Sequence, residues 1–255
     1  MIDRIKKYPR TPHLKGSAVQ SGDEDLNNID FGAILGKNII IEEKVDGANV
    51  GVSFSENGRL LLQSRGHFLT GGYRERHYDL FKKWANSAVN ELFERLGTRY
   101  IMYGEWLYAK HKIYYDRLPD YFLEFDVFDK ENAVFLSTEK RREILKDSPV
   151  FSVPVLASGV FNKKEDVLKY LGKSLYVSDS ARDNLIETAL KEGLNVEDVL
   201  SESDLSTLAE GLYIKVEENG IVEDRMKFVR SGYSQPQNDS TRWIDKPIVP
   251  NKLKN

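Results

Sequence analysis

Short apolar runs recur along this chain, and most of them alternate with polar residues at the two-residue period of a β-strand. β-Branched residues are frequent in these runs, as at Ile39, Ile40 and Ile41. Glu56-Asn57-Gly58 is typical of a tight turn between paired strands. The pattern predicts strands over 38–44, 49–55, 59–64, 100–107, 121–128, 133–137, 211–217 and 225–230.

Helical periodicity is confined to three parts of the chain. The longest is 74–96, where apolar side chains recur every three or four residues and Gly97 follows as a stop. A short helix is predicted over 138–147. An acidic block over about 163–209 contains predicted helical segments at 164–171, 180–192 and 195–200. Because this block interrupts the strands, we expect a helical insertion or lid within an α+β fold.

The composition is that of a globular protein. The 255 residues are 40% hydrophobic and 30% charged, which suits a single domain over 1–255. Cysteine is absent, so disulfides and thiolate metal sites are excluded. The N-terminus lacks the apolar core of a signal peptide, and no apolar run reaches membrane-spanning length. We therefore expect a cytoplasmic protein without a membrane partner.

The last segment, 231–255, has the composition of an extended tail. It is too short to form a second β-barrel domain. Four apolar residues are expected to anchor it to the body of the domain: Trp243, Ile244, Ile248 and Val249.

Charge is unevenly distributed along the chain, although the net charge is only −3. Residues 1–16 carry five Lys or Arg against one Asp, and 225–255 carry seven against two. Residues 183–210 carry eight acids against one lysine. Basic termini of this kind either frame a site for a polyanion or are merely solvated, so charge alone does not identify the partner.

Lys44 is the strongest candidate for a catalytic residue. The apolar run 39–41 leads to this lysine, and Asp46-Gly47 then breaks the strand. A lysine held on a rigid strand end can be desolvated, which lowers its pKa and makes the amine nucleophilic. The structural alternative is an exposed lysine beside a turn.

Five further segments share the polar, strand-end character of the segment around Lys44. Arg225-Met226-Lys227 places two cations on one face of a strand. The other four are Gln63-Ser64-Arg65-Gly66, Tyr103-Gly104-Glu105-Trp106, the strand from Phe122 to Asp129, and Glu210-Gly211-Leu212-Tyr213-Ile214-Lys215.

Taken in order, these six segments resemble the signature motifs of the covalent nucleotidyltransferases, the superfamily of ATP-dependent ligases and mRNA-capping enzymes. The resemblance extends from about residue 38 to residue 230. It is strongest to the nick-sealing type of RNA ligase, because of the block that begins at Gly104-Glu105-Trp106. It implies the adenylation fold, with antiparallel sheets flanked by helices, and no OB-fold domain of the kind found in DNA ligases is expected.

The resemblance implies a role for each residue around the lysine. Lys44 would be the nucleophile that takes AMP from ATP, and Asp46 would complete its motif and hold the loop. Asn49 lies where RNA ligases have an asparagine that contributes to the site. Glu43 would lie close to the edge of the adenine.

The downstream motifs imply the remaining contacts with the nucleotide. Arg65 would contact the ribose or the phosphate that is sealed, and Glu105 would bind the ribose hydroxyls. Phe125 would stack on the adenine. Glu210 matches a carboxylate linked to a divalent metal, Mg²⁺ or Mn²⁺, and Lys215 a cation that contacts the α-phosphate.

The last motif departs from the usual Lys-x-Lys pattern. Lys227 matches its second lysine, but Arg225 replaces the first. Arginine binds phosphate bidentately and keeps its proton, so Arg225 suits phosphate binding rather than general acid catalysis. We expect Lys215, Lys227 and the metal to surround the α-phosphate and to help keep Lys44 neutral.

Each of these residues also has a structural interpretation when it is taken alone. Phe125 lies in an apolar strand typical of a core, and Glu105 could be a surface acid. Lys215 and Lys227 could protect the edge of a sheet. Only the ordered set of motifs favours the functional interpretation.

The expected function is therefore ATP-dependent ligation of RNA with 5′-phosphate and 3′-hydroxyl ends, with a divalent cation as cofactor. A guanylyltransferase or a minimal DNA ligase would use the same chemistry, and a non-catalytic RNA-end-binding protein is a third alternative. The sequence does not show whether a kinase or phosphatase prepares the RNA ends.

Overall fold

A computed structural model of the protein describes residues 4–19, 23–233 and 246–254. The strands are β1 (His13–Leu14), β2 (Asn28–Ile29), β3 (Asn38–Lys44), β4 (Ala48–Phe54), β5 (Leu60–Ser64), β6 (Tyr100–Trp106), β7 (Phe122–Asp129), β8 (Val134–Phe135), β9 (Phe151–Ser152), β10 (Val155–Val160), β11 (Gly211–Glu218) and β12 (Ile221–Val229). The α-helices are α1 (Asp79–Ser87), α2 (Val89–Leu96), α3 (Thr138–Ile144), α4 (Lys164–Leu168), α5 (Ala181–Lys191) and α6 (Val196–Ser201). Two 3₁₀ helices cover Phe31–Ile34 and Tyr73–Tyr78.

The strands form two largely antiparallel sheets. The first sheet has the order β10-β3-β11-β12-β1-β2. The second has the order β5-β4-β6-β7-β8, with β9 paired to β7. The expected α+β class is confirmed, since antiparallel sheets and helices occupy separate parts of the chain.

The two faces of the first sheet differ sharply. One face is apolar: Ile41, Ile214 and Met226 pack with Val167 of α4. Because side chains alternate along a strand, the opposite face carries Glu42 and Lys44 of β3 together with the polar residues of β11 and β12. This polar face contributes the residues of the candidate site.

Asp46 and Gly47 carry the chain from one sheet to the other. β3 belongs to the first sheet and β4 to the second, so this break is a crossing rather than a hairpin turn. Gly47 is required because an added Cβ would lie 2.7 Å from the carbonyl oxygen of Trp106. Gly211 has a similar role on β11, where a Cβ would lie 2.1 Å from the carbonyl oxygen of Phe228. Both glycines allow the strands beside the site to approach closely.

Some elements differ from the sequence-based prediction. The helix predicted over 74–96 is divided into a 3₁₀ turn, α1 and α2, because the backbone leaves helical geometry at Ala88. The edge strand β10 lacked a clear alternating pattern, since it contains Ser158 and Gly159. The short strands β1, β2 and β9 were also not predicted.

The described part of the tail lies against the loop that follows β6. Val249 is buried, and its carbonyl oxygen accepts a hydrogen bond from the amide of Lys110. Asn251 is also buried and donates to the carbonyl oxygen of Leu107. Ile248 is half-buried, and Trp243 and Ile244, the remaining two proposed anchors, lie outside the described residues. Among those described, no helix has the length and apolar character needed to cross a membrane.

Candidate active site

A cavity of about 710 Å³ is lined by residues of β3, β4, β6, β7, β11 and β12, and by the N-terminal segment 8–11. Most of the side chains singled out by the motifs lie on its wall: Glu43, Lys44, Asp46, Asn49, Arg65, Glu105, Phe125, Glu210 and Lys227. Residues separated by more than 180 positions in the sequence are thus collected around one space.

Lys44 and Glu210 form the central ion pair of this cavity. Lys44 Nζ donates to Glu210 Oε2 at 2.6 Å, and the side chain of Lys44 is 20% exposed. Gly211 pairs with Lys44 in the sheet, which places the preceding Glu210 beside the lysine. Burial lowers the pKa of Lys44, but the carboxylates of Glu210 and Glu105 outweigh it, and the pKa is raised. The expectation of a neutral Lys44 is therefore wrong for the ligand-free molecule.

Glu105 lies across the cavity from this pair. Glu105 pairs with Asn49 in the second sheet, and its Oε1 accepts a hydrogen bond from the amide of Gly47 at 3.1 Å. Burial raises the pKa of Glu105 to about 8, against the smaller lowering effect of Lys44. Near neutral pH this carboxyl group can therefore be protonated and can donate a hydrogen bond to a ligand.

Asp46 holds a neighbouring loop against the cavity. Its Oδ2 accepts hydrogen bonds from the amides of Lys112 at 2.8 Å and Ile113 at 3.1 Å. His111 of the same loop lies on the cavity wall, with Nδ1 3.7 Å from Asp46 Oδ1. Burial lowers the pKa of His111, so its imidazole is neutral near pH 7. Asp46 thus positions both the end of β3 and His111.

A pair of aromatic rings forms part of the cavity wall. The rings of Phe125 and Tyr213 are 6.5 Å apart and inclined by only 29°. The orientation of the Tyr213 ring is fixed by hydrogen bonds of its hydroxyl group with the hydroxyl groups of Tyr8 at 2.7 Å and Thr11 at 2.8 Å. The two rings interact directly at this spacing, and both line the cavity, where an aromatic face can stack on a flat base.

Glu43 points from β3 toward a loop rather than into the centre of the cavity. Its carboxylate accepts hydrogen bonds from the hydroxyl of Ser174 and from the amide of Leu175 at 3.0 Å. Burial raises the pKa of Glu43 despite these bonds. The residue lies on the cavity wall but is held by residues outside it.

Lys227, which pairs with Tyr213 in the first sheet, is held by a carboxylate that the sequence did not predict. Its Nζ donates to Asp23 Oδ2, and Asp23 Oδ1 accepts from Arg10 Nη2 at 3.2 Å. All three residues lie on the cavity wall. Asn49, half-buried, and Arg65, exposed, complete the described wall where β4 and β5 meet it.

Lys215 and Arg225 are placed differently from the sequence-based expectation. Lys215 is fully buried, with Nζ 3.0 Å from Glu42 Oε2 and 2.9 Å from Asp126 Oδ1. Arg225 lies 3.5 Å from Asp126, and its guanidinium stacks over Phe135. In the ligand-free structure neither side chain reaches the cavity wall. The expected contact of Lys215 with the α-phosphate and the expected role of Arg225 in phosphate binding therefore stay predictions, because both side chains are paired with buried carboxylates here.

These two cations belong to a separate group that we call the interior cluster. It contains Glu42, Glu124, Asp126, Arg141, Lys215 and Arg225. Arg141 of α3 bridges Glu42 of the first sheet and Glu124 of the second. The cluster therefore joins the two sheets behind the cavity.

The described residues fit a divalent cation only as a partial site. Glu210, Glu105 and Asp46 bring carboxylate oxygens to the cavity, and these are the ligands that Mg²⁺ prefers. No group of three or more His, Cys, Asp or Glu in the described ranges could enclose a metal alone. Mg²⁺ commonly completes its coordination with substrate phosphates and water, which suits this arrangement.

Comparison with known proteins identifies the family. The family model described as RNA ligase matches residues 37–229, which is more than half of the chain. The chain belongs to the RNA ligase family. All six segments that carried the resemblance lie within the matched range.

Solved RNA ligases share the fold of this family member at low sequence identity. A Naegleria gruberi RNA ligase variant with ATP and Mn matches with a TM-score of 0.51 and 14% identity. The match covers 79% of this chain and 52% of that chain. An archaeal ATP-dependent RNA ligase gives a TM-score of 0.50 and 15% identity, over 88% of this chain and 48% of that one. The chain thus spans about half the length of these structures. No curated protein sequence matches it.

Sequence reasoning missed several residues on the cavity wall of this RNA ligase family member. Tyr8, Arg10 and Asp23 precede the first motif, where the basic N-terminus was open to interpretation as a solvated segment. Tyr213 lies inside a recognised motif. Its position beside Phe125 depends on how the two sheets pack together, because the two residues belong to different sheets. His111 follows the segment around Glu105 and was given no role in the site, although it lies on the cavity wall beside Asp46.

Proposed function

We propose that this chain is an ATP-dependent RNA ligase that joins 5′-phosphate and 3′-hydroxyl RNA ends through a covalent lysyl-AMP. The observation that carries the proposal is the position of Lys44, bonded to Glu210 inside a cavity large enough for a nucleotide. Family membership and the likeness to ligases solved with ATP and Mn support ATP and Mg²⁺ or Mn²⁺ as cofactors.

In the first step Lys44 Nζ attacks the α-phosphorus of ATP. A P–N bond forms as the bond from that phosphorus to the bridging oxygen breaks, and pyrophosphate leaves with the electron pair. The amine must lose its proton before the attack, yet Glu210 stabilises the protonated form. A divalent cation bound by Glu210 would neutralise phosphate charge, and with its carboxylate so engaged Lys44 would lose the partner that raises its pKa.

The other cavity residues orient the nucleotide around this reaction. The adenine stacks on Phe125, with Glu43 near its edge. Glu105 faces the ribose hydroxyls, and a protonated carboxyl group there could donate as well as accept. Lys227 supplies positive charge to the phosphates. Asn49 and Arg65 lie where the RNA end would enter.

Two further steps would complete ligation. AMP moves from Lys44 to the 5′-phosphate of the RNA, which forms a 5′–5′ anhydride and releases the lysine. The 3′-hydroxyl then attacks the RNA phosphorus, and AMP leaves as the new phosphodiester forms. A separate kinase or phosphatase would be needed wherever RNA breaks carry other end groups.

We also propose a domain organisation for the chain. Residues 1–255 form one adenylation domain of the nucleotidyltransferase type, and 163–209 form a helical insertion between β10 and β11. The tail expected over 231–255 would pack on this domain, and in its described part Val249 and Asn251 are buried.

The proposal is tested by sealing assays with 5′-labelled substrates. Nicked RNA duplexes, single-stranded RNA and nicked DNA are incubated with the protein, Mg²⁺ and either ATP or GTP. Sealing of RNA that needs ATP and is lost in Lys44→Ala would support the proposal. Preference for GTP would favour a guanylyltransferase, and sealing of DNA alone a DNA ligase. Binding of RNA ends without any nucleotide transfer would favour the non-catalytic alternative.

A further inference from the structure

The N-terminal segment forms a wall of the cavity that no motif predicts. The amide of Lys227 donates to the carbonyl oxygen of Pro12, and His13 pairs with Lys227 where β1 lies parallel to β12. The segment before this strand is therefore fixed directly to the strand that carries Lys227. This places Arg10 on the same wall, with its side chain 39% exposed.

Asp23 joins the two cations of this wall. Its carboxylate accepts hydrogen bonds from Lys227 and from Arg10, and its Oδ2 lies 3.5 Å from the imidazole of His13. Asp23 is 12% exposed at its side chain and Lys227 10%, so the pair is mostly shielded from solvent. The carboxylate of Asp23 thus bridges two cations inside a cavity that the proposed function assigns to a polyanion.

A phosphate group could replace this carboxylate with little rearrangement. Phosphate and carboxylate oxygens both accept charge-assisted hydrogen bonds from guanidinium and ammonium groups at similar distances. Arg10 is already oriented, because both of its terminal nitrogens also donate to Asp25, at 2.8 and 2.6 Å. The guanidinium can therefore turn toward a phosphate without being ordered from a free state.

We propose that Arg10 and Lys227 form a phosphate-binding pair, and that Asp23 stands in for the phosphate in the ligand-free molecule. The inference rests on the proposed function, and it extends the phosphate site to a residue outside the recognised motifs. The ligand is a phosphate group, supplied either by the β- and γ-phosphates of ATP or by the 5′-end of the RNA.

The test measures binding of simple phosphate ligands by isothermal titration calorimetry. The probes are inorganic pyrophosphate, AMP, and a short RNA with either a 5′-phosphate or a 5′-hydroxyl end. We expect Arg10→Ala to weaken pyrophosphate binding by roughly tenfold to a hundredfold and to leave AMP binding unchanged. Arg10→Lys should lose less, because it keeps the charge without the planar fork. Arg4→Ala, an exposed arginine off the cavity wall, is the matched control.

A second variant tests the role of Asp23. Asp23→Asn keeps the size of the side chain but removes the competing charge, so pyrophosphate should bind several times more tightly to this variant. Weaker binding would contradict the stand-in role. The melting temperature of each variant, measured in parallel, verifies that the protein is folded.

The outcomes separate the two sources of phosphate and the two proposals. If Arg10→Ala loses affinity only for the 5′-phosphorylated RNA, the pair binds the RNA end instead of pyrophosphate. Unchanged affinity for both phosphate ligands, or an equal loss for AMP, would overturn the inference. Whether wild-type protein forms lysyl-AMP is measured separately by intact mass, and its absence would count against the proposed function without deciding the role of Arg10.

Discussion

The cavity and the interior cluster use the same kinds of charged residues for different purposes. β3 contributes to both, because Glu42 pairs with Arg141 in the interior cluster, although it also borders the cavity, and Lys44, two residues further on, pairs with Glu210 in the cavity. In the interior cluster Arg141, Lys215 and their carboxylate partners are fully buried. In the cavity Lys44, Lys227 and Arg10 keep some exposure to solvent.

This difference determines which ion pairs can exchange partners. A cavity cation can leave its carboxylate for a phosphate, because the space beside it admits a ligand. A buried pair cannot do so without leaving an uncompensated charge in the interior. Depth between the sheets, rather than residue type, thus separates the groups that can act on a nucleotide from those that hold the sheets together.

The largest expected effect is on stability, from breaking the interior cluster. Arg141→Ala would leave Glu42 and Glu124 without their shared partner and should destabilise the protein by about 3–5 kcal/mol. Urea unfolding measures this change. Arg142→Ala, at the exposed neighbouring position, should cost less than about 0.5 kcal/mol. Equal stability of the two variants would show that the cluster does not join the sheets.

The corresponding change in the cavity should affect activity instead. Lys227→Ala and Glu210→Ala should slow transfer of AMP to the protein by roughly a hundredfold or more, since each loses a group close to the reacting phosphate. Thermal unfolding should show that both variants remain folded. Labelling at the wild-type rate in both would exclude these residues from the reaction.

A smaller effect concerns Glu105, whose folded-state pKa of about 8 lies above its unfolded value. Such a group stabilises the fold at low pH, and this contribution is lost as the pH rises through about 8. Wild-type protein should lose roughly 2 kcal/mol between pH 6 and pH 9 that Glu105→Gln does not lose. Denaturant unfolding of both proteins at the two pH values measures the difference. Parallel stability curves would contradict the raised pKa.

The pH dependence of the first step provides the smallest change. Because the pKa of ligand-free Lys44 is raised, the reactive neutral amine is the minor form near pH 7. The single-turnover rate of AMP transfer should therefore rise by up to about tenfold per pH unit until the pKa of the bound complex is reached. Quenched-flow measurements with labelled ATP give this slope. A rate independent of pH between 6 and 9 would contradict a Lys44 that is still protonated once ATP is bound.

Much of the site could be predicted from the sequence because each motif is short and local. Lys44 ends β3 and Asp46 follows it closely, and alternation alone places the side chains of each strand on one face or the other. For Lys215 and Arg225 the same rule gives the face of the sheet but not the burial. They share a face with Tyr213 and Lys227, but period-two alternation gives the face of a side chain and not its depth between two sheets.

The N-terminal wall could not be predicted for another reason. Arg10 and Asp23 carry no recognisable spacing, and they reach the cavity only because β1 pairs with β12 more than 200 residues later. Pairings of such long range leave no local pattern. The break at Ala88 was missed because the apolar period of the 74–96 segment continues across it.

The central claim is that Lys44 is the nucleophile, and intact mass spectrometry tests it most directly. Purified protein is treated with pyrophosphate to remove any AMP already bound and is then incubated with ATP and Mg²⁺, beside Lys44→Ala and Lys37→Ala. We expect wild-type protein and Lys37→Ala, which changes an exposed lysine before β3, to gain the mass of one adenylyl group, and Lys44→Ala to gain none. An adenylyl group on Lys44→Ala, or none on the wild-type protein, would contradict the account.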